Sequence, residues 1–98
     1  MYTIDFAESV KDQLRCLPAH QRVTILDSIE KQLSYEPLLE TKNRKSLRPN
    51  PIAPWELRVG NLRVFYEVTL DEPHIVKILA VGYKKGNKLY IGNREVGL

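Results

Sequence analysis

Cysteine is nearly missing from this chain: Cys16 stands alone. An internal disulfide is therefore impossible, and nothing in the cysteine count points to an oxidising compartment. Histidine is scarce too. His20 and His74 are far apart in sequence, and no His/Cys/Asp cluster has the spacing of metal ligands. No apolar run approaches the roughly 20 residues of a membrane span. The opening MYTIDFAESV lacks the basic and apolar regions of a signal peptide, so the expected location is the cytoplasm, with no membrane partner. Repeats, low-complexity segments and linkers are absent as well. Residues 1–98 are expected to form a single domain with one modest core.

What is present is unevenly spread. The net charge of +3 hides a division between two halves. Residues 1–41 hold four Lys/Arg against seven Asp/Glu, a net −3, while residues 42–98 hold eleven against five, a net +6. The basic half is also the half with strand-like sequence. A one-sided positive surface fits a polyanion, RNA or DNA, or an acidic protein. Composition does not choose among them.

The chain is organised around Trp55 to Ile91. Trp55-Glu56-Leu57-Arg58-Val59 alternates apolar and charged residues, and Leu62-Arg63-Val64 continues the alternation into Tyr66. Gly60-Asn61 between them fits a two-residue type II′ turn, and the whole reads as a hairpin. Val59 then pairs with Leu62, Arg58 with Arg63, and Glu56 with Phe65. One face carries Trp55, Leu57, Val59, Leu62, Val64 and Tyr66 toward a core. The other sets Arg58 across from Arg63. Like charges in that position cost up to roughly 1 kcal/mol, so an anion is expected beside them: a carboxylate such as Glu56 or Glu67, or something bound.

Upstream, Tyr2 to Phe6 reads as a short strand. Asp5 and Glu8 are placed as a capping box for a helix whose apolar stripe is Phe6, Val10, Leu14 and Leu17. Pro18 breaks that helix and can open a second one. The second stripe is Ile25, Ile29 and Leu33, widened by Val23 and Leu26, and it stops by Pro37. His20 near its start reads as a surface residue. The connector Leu38 to Pro54 is basic and proline-rich, so it is expected to run extended, with Leu47 as its apolar anchor. After a turn at Asp71-Glu72-Pro73-His74, Ile75 to Tyr83 is nearly all apolar and reads as a central strand. Lys84 to Lys88 is a basic turn, Leu89-Tyr90-Ile91 follows, and Gly92 to Leu98 reads as a loose tail. The expected fold is α+β, in the order β-α-α-β-β-β. Two antiparallel helices would pack on one face of a small, mostly antiparallel sheet, with the other face partly open.

This order, with the phrases Trp55-Glu56-Leu57-Arg58-Val59-Gly60, Arg63-Val64-Phe65-Tyr66 and Val81-Gly82 through Tyr90, resembles the RelE/ParE superfamily of bacterial type II toxins. The approach Asn43-Arg44-Lys45-Ser46-Leu47-Arg48 is also typical, and the resemblance covers essentially the whole chain. It implies one of two activities: cleavage of mRNA in the ribosomal A site, as in RelE-like members, or inhibition of DNA gyrase, as in ParE-like ones. It also implies a cognate antitoxin as partner, with a toxin–antitoxin heterotetramer as one expected assembly. In the RelE chemistry the 2′-OH of the RNA attacks the adjacent phosphate, with no metal and no cofactor.

Carried over by position, Arg63 matches the arginine that contacts the scissile phosphate. Lys84 falls where RelE has an arginine after its Val-Gly, and Tyr90 falls on a late tyrosine that orients the substrate base. Arg58 matches a basic residue of the preceding strand. Lys45, Arg48, Arg58, Lys85 and Lys88 are the expected RNA-binding residues. The departures concern the proton chemistry. Two lysines of the RelE strand correspond here to Pro54 and Glu56, lysine replaces a bidentate arginine at Lys84, and His74 lies at the wrong end of its strand. A free lysine or tyrosine titrates near about 10, so activation by the surrounding cations is required. Glu56 is the alternative base. A catalytically decayed member that only binds its antitoxin is the third reading.

Overall fold

The computed structural model describes residues 1–97. In it β3 (Trp55–Val59) and β4 (Leu62–Val68) form the expected hairpin about Gly60-Asn61. Val59 lies opposite Leu62, Arg58 opposite Arg63, and Glu56 opposite Phe65. Gly60 has φ +60° and Asn61 stays out of the left-handed region, as a type II′ turn requires.

β4 pairs next with β5 (Ile75–Lys85), which spans the middle of the sheet. On its far side β5 serves two neighbours. β1 (Thr3–Phe6) runs parallel along Ile75–Ile78, and β6 (Lys88–Ile91) returns antiparallel along Gly82–Lys85. The α+β reading with two helices and a mainly antiparallel sheet holds, but among the described residues the sheet has seven strands, more than the alternation suggests. Three of them correct the expected order of four: β6, which extends the sheet beyond β5 where the sequence reads as only a basic turn and a short following segment, and two more in stretches that read as irregular. β2 (Arg44–Ser46) pairs with β3 inside what reads as a connector, and β7 (Arg94–Val96) pairs with β6 inside what reads as a loose tail. The cause of the last is a local turn. Gly92 and Asn93 both have positive φ, +60° and +64°, the type I′ geometry that closes a two-residue hairpin. Leu98, the last residue of that expected tail, lies outside the described residues.

The helices are α1 (Ser9–Arg15) and α2 (Ala19–Leu33). The capping box at Asp5 does not form. β1 stays extended through Phe6 and the Ala7 N–H donates to the Ile78 carbonyl, so strand pairing takes Asp5 away from the helix. Glu8 is the N-cap and makes no side-chain capping bond. Phe6 belongs to β1, while Val10 and Leu17 are buried. In α2 the stripe is narrower than expected: Ile25, Ile29 and Leu33 are buried, but Val23 and Leu26 face outward at 67% and 43% exposure.

The main core joins these helix residues to Leu57, Leu62, Val64, Tyr66, Val76, Ile78 and Val81 on one sheet face. Arg44, counted among the basic connector residues, has a structural task. Its Nε donates to Leu39 O at 2.9 Å and its Nη1 to Gln32 O at 2.9 Å, which satisfies a carbonyl near the end of α2.

Tyr66 ties this core to the connector by donating its hydroxyl to Pro37 O at 2.6 Å. Burial pushes its phenol well above the usual tyrosine range, with Arg44 opposing. A phenol whose folded pKa is raised contributes stability that is complete below its unfolded value of about 10 and is lost as pH rises beyond it. Denaturant unfolding at neutral pH and near pH 11 should therefore show a fall in the wild type that Tyr66→Phe lacks. That variant should already be about 1 kcal/mol weaker at neutral pH, because the Pro37 carbonyl loses its donor. A wild type equally stable at both pH values would count against the buried phenol.

Gly82 marks a second tight place. A Cβ there would clash with the Tyr90 carbonyl oxygen and lie 3.0 Å from Ile91 Cγ1. Backbone is the obstacle, so β6 must move. Gly82→Ala is expected to cost about 2 kcal/mol and to speed amide exchange in Lys88–Val96. Unchanged exchange in β6 and β7 would show that the strand accommodates the methyl.

Candidate nucleic-acid interface

Sheet register gathers one group of charged side chains on the face away from the helices. Paired residues share a face, so Lys45, Glu56, Phe65 and Ala80 form one row, and Arg58, Arg63 and Gly82 form the next. Lys84, two residues beyond Gly82 on β5, lies on that face too. Glu56 is the centre of the group. Its side chain is 4% exposed, Arg58 Nε donates to its Oε1 at 2.7 Å, and Arg63 Nε lies 3.8 Å from the same oxygen. The anion expected beside the facing arginines is therefore in place.

Arg63 is held more tightly than Arg58, at 14% side-chain exposure against 49%. Its Nη1 donates to the carbonyls of Gly60 and Leu62, both at 2.8 Å. Its Nε is buried and finds no hydrogen-bond partner among the described residues; 3.8 Å to Glu56 is too long for one. Burial holds the guanidinium below the usual arginine range, Glu56 counteracts this, and Arg58 adds to it. Gly82 places no side chain next to Arg63 in its row, so the guanidinium is not walled in from that strand.

Beside this group the second face is not bare. Phe65, Ala80, Leu89 and Ala53 form a smaller core, with Leu47, Ile52, Leu79 and Ile91 packed around it. The segment from Leu47 to Pro54 crosses the sheet as a strap. Asn50 shapes it, donating to the carbonyls of Arg48 (2.7 Å) and Ala53 (2.8 Å) and accepting from the N–H groups of Ile52 (2.8 Å) and Ala53 (3.0 Å). Glu40 anchors the start of the strap by accepting from the hydroxyl and the N–H of Ser46. Those two bonds, the hydroxyl first, together with Lys45, hold its carboxyl below the usual range against a small opposing effect of burial. The Asn50-Pro51 dipeptide is the sequence signal for this turn, and the strap carries the exposed Arg48.

The remaining expected site residues lie elsewhere. The Gly86-Asn87 turn pairs Lys85 with Lys88 and Tyr83 with Tyr90. Tyr83 pairs in turn with Leu62 of the main core face, so Tyr90, Lys85 and Lys88 lie on the helix side. Tyr90 stacks on Tyr83, with ring centroids 5.3 Å apart and planes at 17°. Lys88 Nζ lies 3.9 Å from Glu95 Oε1. The structure thus brings Arg63, Arg58, Lys45, Lys84 and Glu56 to one face and puts Tyr90 on the other. Tyr83, the aromatic partner of Tyr90, is a residue the sequence reading did not single out.

Two solved structures share this architecture. A chain of the toxin–antitoxin complex RelBE2 from Mycobacterium tuberculosis matches with a TM-score of 0.71 and 29% identity, covering 85% of this chain and 98% of that one. A chain of the archaeal RelE–RelB complex from Pyrococcus horikoshii matches with a TM-score of 0.66 and 25% identity, covering 87% and 96%. The chain is RelE-like. No family model matches the sequence, and no curated protein matches it. No helix of the described residues is long and apolar enough to cross a membrane.

On this RelE-like sheet the basic face can do two things chemically. It can neutralise a phosphate, because two guanidiniums meet there around one carboxylate and lysines share their face of the sheet. It can also hold that phosphate at a fixed place, because Arg63 is tethered through one nitrogen to two backbone carbonyls.

Proposed function

We propose that this RelE-like chain is the toxin of a type II toxin–antitoxin pair and cleaves mRNA on the ribosome. The observation that carries the reading is the set of three cations, Lys45, Arg58 and Arg63, around a single buried carboxylate on one sheet face, with Lys84 farther along the same face on β5. In the reaction a base takes the proton of a 2′-OH, and that oxygen bonds to the adjacent phosphorus. The bond to the 5′-oxygen breaks, and the leaving oxygen takes up a proton. The products are a 2′,3′-cyclic phosphate and a 5′-hydroxyl. Charge builds on the non-bridging oxygens, and cations fixed in advance at that spot lower the barrier. Arg63 takes this role, Lys84 and Arg58 flank it, and Lys45 and Arg48 hold the backbone on either side. The chain's own cations supply the charge that a metal supplies in other nucleases. Tyr90 contributes by stacking on a nucleotide beyond the scissile one. The partners are the ribosome with its mRNA and, in the resting cell, a cognate antitoxin that covers the basic face. Action there places the protein in the cytoplasm.

A second reading is supported by the position of Tyr90 away from Arg63: a member that binds its antitoxin but has lost cleavage chemistry. Primer extension on programmed ribosomes separates the two. Discrete cuts at the A-site codon with the purified chain, absent with Arg63→Ala, support the nuclease. A folded wild type that leaves the message intact favours the second reading or a gyrase inhibitor, and induction of a DNA-damage response would identify the latter.

A further inference from the structure

We propose that a cleft on the helix side, apart from the Arg58–Arg63 row, is a second RNA contact that takes one nucleotide of the single-stranded backbone. It opens between the α1–α2 junction and the turns at Gly60-Asn61 and Gly92-Asn93, with a volume of about 320 Å³. That is within the range of small-ligand pockets. Lys84, Lys85, Gln21, Asn61, Asn93 and Tyr83 line it, and no carboxylate does so among the described residues. One lysine whose register faces the helix side, Lys85, and three carboxamide residues therefore border a space with no carboxylate in its described lining. A phosphodiester supplies what they lack: a fixed negative charge with several acceptor oxygens.

The choice of RNA over an acidic peptide rests on two further features. Tyr83 and Tyr90, both half-buried, form a ready-made aromatic stack beside the cleft, and a base can extend such a stack whatever its identity. Lys84 also belongs to both surfaces. It lines the cleft, yet its register is that of Arg63 and Gly82 on the opposite face. A strand whose phosphate sits at Arg63 can thus pass around the end of β5 and remain in contact with cations throughout. Lys85 and Tyr90, separated by the sheet from Arg63, gain a common task in this way. The inference rests on the RNA reading above and adds a surface to it.

Cys16 supplies the test. It is exposed, lines the cleft, and is the chain's only cysteine, so its alkylation rate reports whether the cleft is occupied. The full chain would be treated with N-ethylmaleimide, with and without single-stranded oligouridylate, while anisotropy follows binding. RNA is expected to slow alkylation several-fold in the wild type and in Arg63→Ala, but not in Lys85→Glu. Replacing Lys85 should also lower the slope of log affinity against log salt by about one. Unprotected Cys16 with RNA bound overturns the proposal, as does absence of RNA binding, or equal protection by polyglutamate. Protection of Cys16 without cleavage on programmed ribosomes would leave the cleft standing while the nuclease reading fails. Arg63-dependent cleavage with unprotected Cys16 would do the reverse.

Discussion

Arg63→Ala is expected to lower mRNA cleavage on programmed ribosomes by about 10²–10³-fold and to abolish growth arrest, with the fold left in place. In the reaction proposed above, Arg63 is a preorganised cation at a phosphate that gains charge, and its removal forfeits that stabilisation. The stability estimate follows from what the substitution leaves behind. Glu56 keeps its 2.7 Å bond to Arg58, so no buried carboxylate is stranded. The carbonyls of Gly60 and Leu62 lose Nη1, but Gly60 lies at an exposed turn where water replaces the donor. The buried Nε that has no partner disappears with the side chain. Arg63→Lys should recover only part of the rate, because an ammonium cannot reproduce the tethered fork. Wild-type cleavage by Arg63→Ala would remove Arg63 from the site. Loss of cleavage together with loss of cooperative unfolding would mean the residue had acted through the fold.

The hairpin around Gly60-Asn61 was legible because both determinants are local: period-two alternation and a turn dipeptide with glycine first. The same dipeptide recurs at Gly86-Asn87 and Gly92-Asn93, and taken as a hairpin signal it predicts β7. Arg94 to Val96 is only three residues long, too short for alternation to register, so the segment looks like a tail. β2 is hidden for a related reason. Its three residues, Arg44-Lys45-Ser46, are polar, and their pairing with Trp55–Leu57 depends on the strap between them closing through Asn50.

Half of the site was legible and half was not, and a β-bulge divides the two. Arg58, Arg63 and Glu56 follow from the hairpin alone. Lys84 and Tyr90 depend on which face each β5 residue takes, and Ile75 to Tyr83 is too uniformly apolar to reveal it. The register of β4 on β5 slips between Phe65 and Tyr66, where Phe65 faces Ala80 but Tyr66 faces Ile78. Leu79 is the extra residue, and one extra residue exchanges the faces of everything beyond it. Tyr83 thereby joins Leu62 on the core face and draws Tyr90 with it, away from Arg63. The 86–87 turn shows from sequence that Tyr90 opposes Tyr83. The bulge, which depends on packing in the second core, does not show.

Removing Glu56 should be the more damaging change to the fold, because it reverses the situation at Arg63. Glu56→Ala leaves two facing arginines with no carboxylate between them, one of them mostly buried. The cost is expected at about 2–3 kcal/mol, below that of a fully buried pair because Arg58 is half exposed. Glu56→Gln should cost less, since a carboxamide oxygen still accepts from Arg58, yet the like-charge repulsion remains. This variant also separates the two roles open to Glu56. A carboxylate that neutralises the arginines allows Glu56→Gln to keep cleavage within roughly tenfold, with the acid side of the pH–rate profile unchanged. A general base makes the same variant lose activity by 10²-fold or more, on the order of other catalytic bases, at nearly unchanged stability. The geometry favours the first role, because Oε1 is already engaged by Arg58 Nε and approached by Arg63 Nε. Added sulfate should then restore part of the stability lost in Glu56→Ala, since an anion between the guanidiniums takes the place of the missing carboxylate. No recovery with sulfate, where chloride at equal ionic strength performs as well, would mean that the two arginines do not form an anion site.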